Sequence, residues 1–518
     1  MRVSWWVSST IFAVLALPIS GGVLKVADTF RFWNDSGITK EMVREQISNA
    51  KCFDPSRHQA CNNAVADVLK EIDDPNLQWV PDDFDSVVDH IDQMKPHDGL
   101  SKQWLFGLML NSFLRTYDGH AQIAPVSAYD TAIGPDANIH YGVGVKLMAT
   151  DNGVYIRAVV MNSPAAHAGL KPFDILDTIN GDKVGKGLQG QKDSLELKGR
   201  PGDILKVGVI RNGEPQMIEV TVGVVADVNL ETESIAFNGR RYSVIRFHEF
   251  KEDSCDDLKE AIRKLPAKTA GLILDLRDNP GGVLDEGICV AGLFVGKKQI
   301  VGEKAVEVRI PFDVSYHPVV DGIIKWMPSY RDASFPKLPL VILVNQNSAS
   351  AAEFVTGALQ DYNAAWVVGE KSFGKGSVQN IEKLPSDDRF YVGYTMALFY
   401  RPNGFTNQRQ GVTPNFEVPM RRTFTAADRH VPRELDLYPN SLTPLDQPAE
   451  WQETRPEAET LKICVENTAG DLTAGEMIVK KTGSEDYQEA YALGLFDCAV
   501  GATAQHNASK NKKVAQKK

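Results

Sequence analysis

Two uninterrupted apolar runs constrain this chain more than any other feature: Gly271-Leu272-Ile273-Leu274-Asp275-Leu276 and Leu338-Pro339-Leu340-Val341-Ile342-Leu343-Val344. A strand with one wet face alternates apolar and polar residues, whereas a strand apolar at nearly every position is covered on both faces. Each run leads into a turn of small residues and then a helical pattern, over Asp285 to Phe294 and over Ala349 to Gln360. Repetition of strand, turn and helix predicts an α/β core over residues 225–425.

The rest of the chain divides around that core into a multidomain α/β protein. Residues 30–130 read as a helical N-terminal region, because Val43 and Ile47, then Val65, Val68, Leu69 and Ile72, then Leu105, Leu108, Met109 and Phe113 recur at intervals of three and four. Over 139–223 the period becomes strand-like and punctuated by glycine, with hairpin-turn signals at Asn180-Gly181 and Asn212-Gly213. Residues 430–518 begin rich in proline, continue as helix and end in a basic tail. At the other end, residues 1–24 hold a short positive start and an apolar stretch without charge until Lys25. That pattern reads as a secretory signal or, in the absence of a clear Ala-x-Ala site, an uncleaved anchor.

Composition narrows the function. Among 518 residues the formal charge is −11, which argues against nucleic acid as a partner, since neutralising phosphates needs a basic face. Six cysteines are too few for a disulfide-framework fold. Cys52 with Cys61 and Cys464 with Cys498 are spaced for local disulfides in an oxidising compartment, while Cys255 and Cys289 read as buried thiols in helices. The ten histidines form no metal-binding motif, and no metal or cofactor is expected.

Three segments carry possible chemistry. In Asn345-Gln346-Asn347-Ser348-Ala349-Ser350-Ala351-Ala352-Glu353 a buried strand meets a helix, which sets a hydroxyl where free N–H groups stabilise negative charge. The competing reading is that Ser348 or Ser350 caps the helix. In Gly369-Glu370-Lys371-Ser372-Phe373-Gly374-Lys375-Gly376 the small neighbours of Lys375 allow its amine to be desolvated and to act as a base, although a lysine in such a loop is commonly solvated. The same stretch misses the phosphate-cradling motif, because Gly376 stands where Ser or Thr is required and a strand follows it. The third segment, Asp275 to Val283, ends in Gly281-Gly282, whose N–H groups could meet an oxyanion or simply serve a tight turn.

Taken together, these segments resemble the S41 family of serine peptidases, the C-terminal processing or tail-specific proteases. The resemblance rests on LDLRDNPGG at 274–282, NSASAAE at 347–353, GALQDY at 357–362 and VVGEKSFGKGSVQ at 367–379, followed by YRPNG at 400–404 and GVTPN at 411–415. Residues 139–223 resemble the PDZ domain that such proteases carry ahead of a crotonase/ClpP-like α/β core. Asp118-Gly119-His120 resembles the motif before that domain but departs from its usual Asp-Pro-His-Ser, a difference expected to bear on local structure and not on chemistry.

The resemblance implies Ser350 as nucleophile, Lys375 as base and Gln379 as the residue that orients the lysine. It implies an oxyanion hole from Ala351 and either Gly281 or Gly282, and a supporting role for Asp361. Lys371, the rival base, lies outside the matched motif. Gly142, Val143, Gly144 and Val145 would hold a substrate's C-terminal carboxylate. The expected activity is that of a serine endopeptidase cleaving exported proteins near their C-termini, in the periplasm or anchored at the periplasmic face of the inner membrane. Its partners would be protein or peptide substrates, with an adaptor or activator, membrane anchoring and a homo-oligomer left open. The alternative is a non-catalytic PDZ scaffold on a peptidase fold.

Overall fold

The computed structural model describes residues 33–34, 36–47, 52–72, 84–94, 101–127, 139–150, 153–160, 162–186, 194–197, 199–211, 213–226, 228–419, 433–444, 455–467 and 486–499. The expected signal or anchor at 1–24 and the basic tail lie outside these residues. No helix among the described residues is long and apolar enough to cross a membrane.

The N-terminal region contains α1 (Lys40–Gln46), α2 (His58–Ile72), α3 (Phe84–Gln93) and α4 (Lys102–Tyr117). Its periodic apolar positions meet in one core with Phe390, Val392 and Tyr394 of a distant strand. Ser101 caps α4 by accepting the Trp104 N–H at 3.2 Å. After α4 the chain turns into β1 (Gln122–Pro125), where the Asn111 side chain bonds both the N–H and the carbonyl of Ile123. The expected disulfide Cys52–Cys61 closes the chain just ahead of and inside α2.

Next comes the β-rich unit. Strand β2 (Ile139–Gly142) pairs with β9 (Gly223–Ala226), bringing the two ends of the unit together. Between them lie β3 (Val145–Thr150), β4 (Gly153–Val159), α5 (Pro164–Ala168), β5 (Ile175–Ile179), β6 (Asp182–Lys183), β7 (Ile204–Arg211) and β8 (Glu214–Thr221). Between β6 and β7 the described residues include a 3₁₀ turn at Ser194–Leu197. Asn180 and Gly181 have φ of 53° and 99°, the conformation a two-residue hairpin needs, and Ile179 duly pairs with Asp182. The sheet runs β3-β4-β5-β7-β8, so β3 is an edge strand with one free side.

The core sheet follows the order β10 (Leu230–Phe237), β11 (Arg240–Phe247), β12 (Thr269–Asp275), β15 (Leu340–Val344), β16 (Trp366–Gly369) and β19 (Phe416–Glu417). From β11 onward all pairings are parallel. The apolar runs alternate between two cores. Leu272, Leu274, Ile342 and Val344 face α6 (Ser254–Arg263), α7 (Leu284–Val295) and α8 (Ala351–Asp361). Ile273, Val341 and Leu343 face Leu461, Val465, Tyr491 and Phe496 of the C-terminal helices. A second sheet joins β1, β18 (Asp387–Tyr400), β13 (Gln299–Ala305) and β14 (Lys325–Pro328), with β17 (Ser377–Leu384) also on β18.

Cys255 and Cys289 are not the buried thiols expected from the sequence. They form a disulfide between α6 and α7, adjacent helices whose sequence separation of 34 hides their contact. Cys464–Cys498 completes the set, so all six cysteines are paired. The short α9 (Glu434–Leu437) and α10 (Glu457–Asn467) lie beyond the core strands.

Candidate active site

Ser350 stands between β15 and α8 with φ 53° and ψ −116°, a conformation costly for any residue with a Cβ and concentrated at functional sites. Its side chain makes no cap hydrogen bond, and it is half-buried. The two serines of the run are therefore distinct. Ser348 Oγ is spent inward, donating to the Leu276 carbonyl at 2.8 Å and accepting the Asn345 N–H at 2.9 Å.

Glu353 organises the surroundings. One of its oxygens, Oε2, accepts the N–H of Ser350 at 3.0 Å and the N–H of Lys375 at 2.8 Å. The other, Oε1, accepts the Ser372 hydroxyl at 2.5 Å and the Gly374 N–H at 2.8 Å. Burial pushes this carboxyl up to about 7, against the pull of those donors. Its spacing, Ser350-x-x-Glu353, is that of a capping box, a signal that was present in the sequence.

Lys375 is 7% exposed. Burial lowers its amine to about 8, while Glu434, Glu353 and Asp118, in that order, pull it back up. Lys371, the rival base, is half-buried and takes no part in the Glu353 contacts. None of the hydrogen bonds among the described residues joins Ser350 Oγ to Lys375 Nζ; the two residues meet through Glu353. Gln379 is turned towards β18, donating to Ser377 Oγ at 2.9 Å and to Thr395 Oγ1 at 3.3 Å. Thr395 in turn donates through its N–H (2.6 Å) and its hydroxyl (3.0 Å) to Asp118. The Asp118 motif, expected to matter only locally, thus reaches the surroundings of the lysine.

The two glycines have different neighbours. A Cβ on Gly281 would lie 2.7 Å from Ala351 N and from Ser350 Cβ, whereas one on Gly282 would lie 2.2 Å from the Phe250 carbonyl oxygen. Their φ values of 99° and 136° also require glycine. Gly281 donates its N–H to Asn279 Oδ1 at 2.8 Å. Asp278, beside this turn, accepts from Asn345 and Asn347 and forms a buried ion pair with Arg157 of β4.

Asp361 ends α8, eleven residues from Ser350 or about 16 Å along the helix. It pairs with Arg401 and accepts from Asn403, and burial raises its carboxyl despite the arginine. In the β-rich unit, the Val143 carbonyl accepts the Ala165 N–H at 2.7 Å and the Gly144 carbonyl accepts the Val160 N–H at 2.9 Å. Those carbonyls are committed to the unit itself; Gly142 ends β2 and Val145 opens the edge strand β3.

Residues 241–418 match the family described as Peptidase family S41, and residues 142–222 match the PDZ domain. Residues 241–418 are thus an S41 peptidase domain, preceded by a PDZ domain at 142–222. The chain is similar to a Carboxy-terminal-processing protease of Bartonella bacilliformis, at 31% identity over 54% of this chain and 61% of that protein. The match therefore spans about three fifths of that relative's length. A Probable CtpA-like serine protease of Staphylococcus aureus strain N315 is 26% identical over 72% of this chain and 69% of the relative. Among solved structures, a photosystem II D1 C-terminal processing protease is 21% identical with a TM-score of 0.42, covering 69% of this chain and 93% of its own.

Sequence reasoning missed Glu353, Asn279, Arg157, Gln408 and Glu434. Glu353 had a local signal and Asn279 lies within the Asp275–Val283 segment; Arg157, Gln408 and Glu434 come from segments that tertiary packing alone brings to the site.

Proposed function

We propose that this S41 protein is a serine endopeptidase that cleaves exported proteins near their C-termini, with Ser350 as nucleophile and Lys375 as general base. The observation that carries the reading is the shared carboxylate oxygen of Glu353, which fixes the backbone of both residues next to each other. Neutral Lys375 takes the Ser350 proton as Oγ attacks the peptide carbonyl, and the amine then protonates the departing nitrogen. Water, deprotonated by the same lysine, hydrolyses the acyl-enzyme. The oxyanion is held by the Ala351 N–H and by the glycine turn, where Gly281 is the nearer residue. Each such donor is worth about 3 kcal/mol. For Gly281 to serve, its N–H exchanges Asn279 Oδ1 for the oxyanion. Gln379 orients the amine in the same rearrangement, and Asp361 supports α8 through Arg401.

The PDZ domain supplies recognition. A substrate C-terminus adds as a strand along the free side of β3, with its carboxylate at the N–H groups of Gly142 to Val145. Three disulfides suit an oxidising, extracytoplasmic compartment such as the periplasm. A non-catalytic PDZ scaffold is the second reading, favoured by the missing Ser350–Lys375 hydrogen bond and by the outward turn of Gln379.

The two readings part on one experiment. Casein cleavage and labelling of Ser350 by a fluorophosphonate are expected in the unaltered chain, unaffected by EDTA, and lost in Ser350→Ala and Lys375→Ala. An unlabelled, inactive wild type supports the scaffold, and a fully active Lys375→Ala removes the lysine from the mechanism.

A further inference from the structure

Glu434 opens α9, past residue 418 where the S41 match ends. It is fully buried. Its Oε1 meets His120 Nε2 at 2.7 Å and accepts from Gln408 Nε2 at 2.9 Å. Its Oε2 is buried without a hydrogen-bond partner.

Each of those two contacts leads in one step to the surroundings of the lysine. Gln408 Oε1 accepts the Gly376 N–H at 2.8 Å, immediately after Lys375. The His120 N–H donates to Asp118 Oδ1 at 3.0 Å, the carboxylate that holds Thr395 beside Gln379. The His120 ring packs 4.3 Å from that of Tyr438, one helical turn after Glu434, which locks the group in place.

A buried carboxylate with an empty oxygen is costly unless a cation compensates it. Among the nearby groups, His120 Nε2 lies 2.7 Å from Oε1 and compensates the carboxylate only when protonated. Arg433 is spent on the carbonyls of Ser372 and Gln410, and Arg115 acts on Tyr438. The acidic groups that act on Lys375 are Glu434 first, then Glu353 of α8 and Asp118 at the end of α4.

We propose that Glu434 is a positioning residue for the Lys375 base, so that the catalytic unit of this chain extends past the S41 match and requires α9. The inference rests on the Ser350–Lys375 reading and deepens it. Glu434 braces the Gly374–Gly376 loop through Gln408 and faces the amine with negative charge, holding it at the site. It touches neither substrate nor the reacting atoms.

The test is the pH dependence of peptide hydrolysis by the full chain, comparing wild type with Glu434→Gln and Glu434→Asp after thermal melting has shown which variants are folded. Removing the negative charge makes the amine lose its proton at lower pH. The acid limb of kcat/KM for Glu434→Gln therefore moves down by about 0.5–1 pH unit. In the same variant kcat falls about tenfold while KM stays near the wild-type value. Glu434→Asp, which withdraws the carboxylate by one methylene, moves the limb in the same direction by less. A folded variant that loses activity with its acid limb at the wild-type pH overturns the proposal, because a merely structural residue would behave that way. Lys375→Ala is run alongside. If it remains active, the dyad reading has failed; if it is inactive while the Glu434 limb is unmoved, only this inference has.

Discussion

A single carboxyl group, that of Glu353, receives four hydrogen bonds from the segment carrying the serine and the loop carrying the lysine. Its burial has a consequence for stability. The carboxyl titrates at about 7 in the folded chain against an ordinary value of 4.5. A raised value means that its contribution is fully present below about pH 4.5 and is lost as pH rises through 7, a swing of about 3 kcal/mol. Glu353→Gln removes that titration and also turns one acceptor into a donor facing other donors, at about 1–3 kcal/mol. The variant is expected to melt well below wild type at pH 5, with the gap narrowing by pH 8. Melting curves recorded across that range check this, and a constant gap would contradict the assignment of the titration to Glu353.

At the scale of elements, two strand–turn–helix units meet at their turns. One turn presents Ser350 in a strained backbone; the other presents Gly281, whose missing side chain lets the chains approach. Gly281→Ala forces a Cβ to 2.7 Å from the Ser350 Cβ and the Ala351 nitrogen, at φ 99°. We expect it to cost about 2–3 kcal/mol and to abolish hydrolysis. Gly404 has a similar φ of 88° but nothing within 4 Å of its Cβ position, so Gly404→Ala should cost only about 1 kcal/mol and leave kcat/KM nearly unchanged. Comparable losses in both variants would show that backbone conformation, and not the contact, governs the turn.

Across the whole molecule, the PDZ domain is wired to the site. Arg157 of β4 enters a buried ion pair with Asp278, which also holds the Asn345 and Asn347 side chains near the nucleophile. Removing one partner of such a pair leaves an uncompensated charge, whereas removing both does not. A double-mutant cycle with Arg157→Ala and Asp278→Asn, read by thermal stability and by kcat/KM, should give a coupling of at least about 1 kcal/mol, the double variant being less impaired than the sum of the singles. Additive effects would mean that the contact transmits nothing between PDZ domain and core.

Much of this was written in the sequence, because local periodicity and turn chemistry act over a few residues. The doubly covered strands, the N-terminal helices and the Asn180-Gly181 hairpin were legible in that way, as was the candidate serine between a buried strand and a helix. The surroundings of the lysine were not. Asp118 meets Thr395 across 277 positions, His120 meets Glu434 across 314, and Cys255 finds Cys289 in the next helix. No local pattern encodes such meetings: each depends on which faces pack once the sheets have formed. Burial, which only packing creates, is also what depresses the lysine and raises Glu353. The residues that could perform the chemistry were thus set along the chain, while the electrostatics that would let them do so belong to the tertiary structure.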